Sequence, residues 1–84
     1  MGGTDKGRSD RQAELGDRIR KYRQRLGLSQ EALALEADIN RSYIASLEAG
    51  RRNPSLDMLA RLANALQIDL GTLVRGLQDV PGRG

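Results

Sequence analysis

Residues 29–50 read Ser29-Gln30-Glu31-Ala32-Leu33-Ala34-Leu35-Glu36-Ala37-Asp38-Ile39-Asn40-Arg41-Ser42-Tyr43-Ile44-Ala45-Ser46-Leu47-Glu48-Ala49-Gly50. Ser29 suits an N-cap, because its hydroxyl can accept one of the backbone N–H groups that a helix start leaves unpaired. Gln30–Ala37 then predicts a helix of barely two turns, with Leu33, Ala34 and Ala37 inward. Asp38-Ile39-Asn40 connects it to the next element, Asn40 can cap that element, and a helix over residues 41–49 should stop at Gly50. At about 100° per residue, Ile44, Leu47 and Glu48 share one face of this helix. Ser42, Ala45, Ser46 and Ala49 share the opposite one.

That outer face is small throughout. Small side chains let a helix lie deep against another surface, and Arg41 at its start and Tyr43 at its side can reach past them to base edges and phosphates. Ala and Ser are equally the residues of an ordinary solvated helix face, and the face alone does not choose between these readings. Glu48 is more informative. It falls on the core-facing stripe near a helix C-terminus, where desolvation and the macrodipole both disfavour a carboxylate, so it needs a cation. Arg23, one residue beyond the core position Tyr22, can supply a bidentate partner. An exposed Glu at a frayed helix end is the alternative.

Outward from this segment the signals stay helical. Ser9 with Gln12 fits a capping box, and Leu15, Ile19, Tyr22 and Leu26 fall on one face of a first helix that Gly27 stops. Asn53-Pro54-Ser55 turns the chain and caps a fourth helix bearing Leu56, Leu59, Ala63 and Leu66. Asp69 opens a fifth, carrying Leu70, Leu73, Val74 and Leu77 at i, i+3, i+4 and i+7. Residues 1–8 and 79–84 are rich in Gly or Pro and are expected as flexible tails around a domain at 9–78. No strand alternation of useful length and no internal repeat occurs.

The 84 residues have room for one small domain. Cysteine and histidine are absent, which excludes disulfides, thiolate or imidazole metal sites, and Cys or Ser-His nucleophiles. No cofactor or metal is expected, no Gly-rich phosphate loop occurs, and no pair of acidic residues marks a catalytic site, so an enzyme is not expected. Tyr22 and Tyr43 are the only aromatics, which leaves an aliphatic core and no stacking platform for single-stranded nucleic acid. The net charge of +3, carried almost wholly by arginine, favours a nucleic acid partner, although ordinary surface charge in a small protein also raises pI. No apolar run approaches the roughly 18 residues of a membrane helix and no signal segment follows Met1, so a cytoplasmic protein without membrane contact is expected. A core this small, with no staple, suggests self-association.

Two short helices and a tight connection, the second with an apolar inner stripe and a small outer face, have the form of a helix-turn-helix. The residues also resemble the Cro/repressor-type (XRE) helix-turn-helix family. The resemblance runs from about Leu15 to Val74 and is carried by Ile19-Arg20-Lys21-Tyr22-Arg23, by Leu26 to Ala34, by Ser42 to Gly50 and by Pro54-Ser55-Leu56. It implies an all-α fold, a compact lambda repressor-like bundle of five helices, and binding to double-stranded DNA. By the same resemblance Arg41, Ser42 and Ser46 would face base edges, and Gln30 would contact a phosphate. Asn40, Tyr43, Arg51, Arg52 and Asn53 would touch the DNA backbone. The family also pairs the positions of Arg23 and Glu48. Asp38 departs from the pattern, since Gly is frequent in that turn.

A transcriptional regulator acting as a homodimer on a palindromic operator is the expectation, with Val74 and Leu77 as the two-fold contact. Short members include phage-type repressors and restriction-modification controllers. The alternative is an antitoxin-type protein-interaction module that also represses its own operon, although no segment for a protein partner is recognisable.

Overall fold

A computed structural model describes residues 10–80; the tail at 1–8, the Ser9 cap and residues 81–84 lie outside that range. The chain forms α1 (Asp10–Arg25), α2 (Gln30–Ala37), α3 (Arg41–Glu48), α4 (Leu56–Ala65), α5 (Leu70–Val74) and a closing 3-10 turn, Leu77–Asp79. Helix starts follow the expected side chains. Ser29 and Ser55 Oγ accept from Ala32 and Met58 N–H at 3.0 and 3.1 Å, and Asp69 Oδ2 accepts from Gly71 N–H at 3.0 Å. Asn40 Oδ1 accepts from Ser42 N–H at 2.8 Å. Each satisfies a donor that the helix itself cannot pair.

The core is aliphatic. Every helix contributes at least one fully enclosed side chain: Ile19 from α1, Leu33 from α2, Ile44 and Leu47 from α3, Leu62 from α4 and Leu73 from α5. At about 1.5–3 kcal/mol for each such side chain, no helix is dispensable. α3 packs on both α1 and α2, and α2 also rests on α4. Among the described residues there is no strand, and no helix is long and apolar enough to cross a membrane.

The connection between α2 and α3 is built on Asp38, whose φ of 56° lies in the left-handed region. That conformation lets Ile39 N–H reach back to Ala34 O at 2.9 Å. Ile39 is buried, and Arg61 of α4 donates to Asp38 O at 3.2 Å. The turn thus keeps its shape without glycine, anchored by one apolar side chain and one guanidinium.

Several expectations change. Leu26 lies beyond the end of α1 and stays 39% exposed, and Leu56, the first residue of α4, is 70% exposed. Both sit at helix ends, where the apolar stripe has run past the core. Leu77 is the larger correction. α5 ends at Val74, Arg75 leaves helical geometry, and Gly76 takes φ 75°, a value that costs glycine little. The chain therefore changes direction, and Leu77 is buried in the core instead of continuing the stripe of Val74. Asp79 and Val80, expected in the C-terminal tail, are held against α1. Arg11 donates to Leu77 O at 2.8 Å and to Val80 O at 3.2 Å.

Candidate nucleic-acid interface

α3 is held from behind by one buried carboxylate. Glu48 accepts from Arg23 Nε at 2.6 Å on Oε2 and from Arg23 Nη2 at 3.0 Å on Oε1. The side chains are only 12% and 4% exposed for Arg23 and Glu48, so the pair is inside the protein. The third edge of the guanidinium donates from Nη1 to Leu28 O at 2.8 Å. The bond to Glu48 pushes the Arg23 pKa above its ordinary value, outweighing burial, which acts the other way. Arginine suits this place because its planar fork matches a carboxylate bidentately and cannot shed its proton.

Two further residues complete the clamp. Gln30 Nε2 donates to Glu48 Oε1 at 3.1 Å, and Arg20 Nη2 donates to Glu48 O at 3.2 Å, where the helix end leaves a carbonyl unpaired. Gln30 therefore ties the start of α2 to the end of α3, and its second amide N–H is left for another acceptor. The Arg20 contact was available from sequence as the position three before Arg23 on the same helix, but nothing in the residue types indicated it. Gly16 was missed as well. A Cβ there would lie 2.3 Å from Leu47 O and 2.8 Å from Glu48 O, so only glycine lets α1 and α3 approach this closely.

The opposite side of α3 is open. Arg41, Ser42 and Ala49 are exposed, and Ala45, Ser46 and Tyr43 are half-buried. The Ser42 hydroxyl donates to Asn40 Oδ1 at 2.5 Å, so Asn40 fixes both the first turn and the direction of this side chain. Past the helix, Gly50 turns the chain and Arg51 N–H bonds Ser46 O at 3.0 Å, placing exposed Arg51, Arg52 and Asn53 beside the C-terminal end of α3. The guanidinium of Arg52 lies over the Tyr43 ring, 5.3 Å from its centroid.

Charge partners differ from one cation to the next. Arg18, Lys21 and Arg61 pair with Glu14, Asp17 and Asp57 one helical turn away, and Arg20 and Arg23 face Glu48. Among the described residues no carboxylate pairs with Arg41, Arg51 or Arg52, nor with Arg11 and Arg25 on α1 or Arg75 after α5, of which Arg11 is held by backbone carbonyls and Arg25 by the Tyr22 ring. Three unneutralised guanidinium groups thus flank a helix face made of Ser and Ala. Val74 lies apart from this surface on α5, half-buried, while Leu77 is turned inward.

Comparison with known proteins agrees with this geometry. Residues 19–73 match the family model described as helix-turn-helix. The immunity repressor protein of Bacillus phage phi105 is 42% identical over 60 residues, which cover 71% of this chain and 42% of that protein. The chain thus spans less than half the length of that relative. The crystal structure of the restriction-modification controller protein C.AhdI from Aeromonas hydrophila superposes with a TM-score of 0.72 at 42% identity, covering 74% of this chain and 94% of that one. SinR, described as the master regulator for biofilm formation and solved in complex with DNA, gives a TM-score of 0.69 at 34% identity, covering 71% and 97%. With the fold, the clamped third helix and the matched residues in agreement, the chain belongs to the helix-turn-helix family of the Cro/repressor (XRE) type.

Proposed function

We propose that the protein is a sequence-specific double-stranded DNA-binding transcriptional regulator that acts as a symmetric dimer on a palindromic operator. The observation that carries this reading is the gathering of three cations without carboxylates, Arg41, Arg51 and Arg52, at the two ends of the open face of α3. Unpaired arginines on a helix with a low outer profile suit a major groove, where the guanidinium can meet a guanine bidentately. Arg41, Ser42 and Ser46 are the base-contacting residues in this reading. Gln30, Asn40, Arg51, Arg52 and Asn53 hold the DNA backbone and set the register, with the Tyr43 ring behind the Arg52 guanidinium. SinR and its DNA complex support the class of ligand.

The dimer is supported by Val74, an apolar side chain left half-buried on a short terminal helix. A two-fold axis there would present two copies of α3 to successive major grooves, about 34–36 Å apart. Selection from a pool of random duplexes tests the whole reading. Enriched sequences should be inverted repeats with half-sites one helical turn apart. Failure to enrich any sequence, or enrichment of a single unrepeated half-site, would contradict specificity or symmetry respectively.

A further inference from the structure

The stack of Arg52 on Tyr43 joins a helix to a loop. The Tyr43 ring is half-buried, packs against the core and rides on the first turn of α3, which Asn40 caps. Its position is therefore as fixed as that of the helix. Arg52 stands in the segment between Gly50, with φ 78°, and Ser55, the N-cap of α4. Arg51 N–H pins that segment to Ser46 O, and Pro54 restricts it from the other end. The backbone is thus held, yet the guanidinium has no carboxylate among the described residues to orient it. Its visible restraint is the ring face, at a separation where the π-system attracts a cation.

We infer that Tyr43 is a positioning residue for Arg52, holding its guanidinium ready for a phosphate, so that Arg52 meets the DNA backbone already oriented. This rests on the duplex-binding reading. An arginine ordered in advance loses less side-chain entropy on docking, and stacking occupies only a ring face, leaving the in-plane N–H groups for phosphate oxygens. In contrast, Arg25 stacks on Tyr22 within α1, at 5.2 Å, and orders no loop.

The test uses a 24-base-pair duplex of arbitrary sequence, about two helical turns, because a phosphate contact is independent of sequence. Binding of the wild type, Tyr43→Phe, Tyr43→Leu, Arg52→Gln and the double variant Tyr43→Leu with Arg52→Gln is measured over a salt series. Tyr43→Leu should weaken binding about two- to fivefold, Tyr43→Phe should match wild type, and Tyr43→Leu should cost nothing further in the Arg52→Gln background. The salt slope should fall by about 1 per bound subunit in both variants that carry Arg52→Gln and stay unchanged in Tyr43→Leu. Additive losses, or a Tyr43→Phe loss equal to that of Tyr43→Leu, would show that the tyrosine acts by its own contact and overturn the inference. Proton NMR of the free protein reads the stack without DNA: the Arg52 side-chain protons should be displaced upfield in wild type and Tyr43→Phe, and not in Tyr43→Leu. No displacement in wild type overturns the positioning role. A wild type that binds no duplex at low salt overturns the duplex-binding reading, and this inference with it.

Discussion

Glu48 is an acidic residue in a position that only its partners make tolerable. Removing it leaves Arg23, 12% exposed, with a desolvated charge, and strips Gln30 and Arg20 of acceptors or neighbours. Because both charges are enclosed, the larger penalty applies: Glu48→Ala should cost about 3–5 kcal/mol in thermal or urea unfolding. Arg23→Met combined with Glu48→Leu should recover most of that loss, since it removes both charges and fills the space. A Glu48→Ala melt that matches wild type would contradict the clamp. Gly16→Ala poses the opposite problem, of room. Alanine gains about 1 kcal/mol over glycine inside a helix, but its Cβ would meet a backbone carbonyl at 2.3 Å, and two helices must part to admit it. Overpacking of this kind costs about 1–3 kcal/mol, so we expect a net loss in the same melts. The two residues differ in legibility. Glu48 was readable because a carboxylate on an apolar stripe breaks the local pattern. Gly16 was not, because its reason is the backbone of α3, remote in sequence.

At the level of elements, the helix starts were legible and one helix end was not. Ser29, Asn40, Ser55 and Asp69 act on N–H groups two or three residues away, so their role is written locally. The end of α5 required weighing an apolar stripe against a glycine. Spacing carried Leu77 into the stripe, whereas Gly76 at φ 75° turns the chain and buries it. The turn before α3 offers a test of the same physics. Asp38 at φ 56° adopts a conformation that disfavours side chains with a Cβ, by about 1 kcal/mol or more. Asp38→Gly should therefore leave stability unchanged or raise it by up to about 1 kcal/mol, while Asp38→Val should lower it. Chemical denaturation of the two variants checks this, and a destabilised Asp38→Gly would show that the aspartate side chain itself holds the turn.

For the whole molecule, pairing arrangements divide the charge. Intrahelical pairs neutralise Arg18, Lys21 and Arg61, while Arg41, Arg51 and Arg52 gather at the ends of α3 with no carboxylate partner among the described residues. Net charge and the all-α pattern were readable from composition, but this division was not, because it depends on which side chains the fold brings within reach. The proposed dimer belongs to this scale too. With Leu77 inside, Val74→Asp alone should give a folded monomer by sedimentation at micromolar concentration, with circular dichroism unchanged and operator binding much weaker. A variant that stays dimeric would move the interface elsewhere. The open face of α3 is proposed to read base sequence. This is tested most directly by the ratio of affinities for a selected operator and a random duplex, measured for wild type and Arg41→Ala at the same salt. Losing a bidentate guanine contact is worth roughly 1–3 kcal/mol per half-site. Arg41→Ala should collapse the ratio while leaving binding to random duplex nearly unchanged. An intact ratio would contradict it.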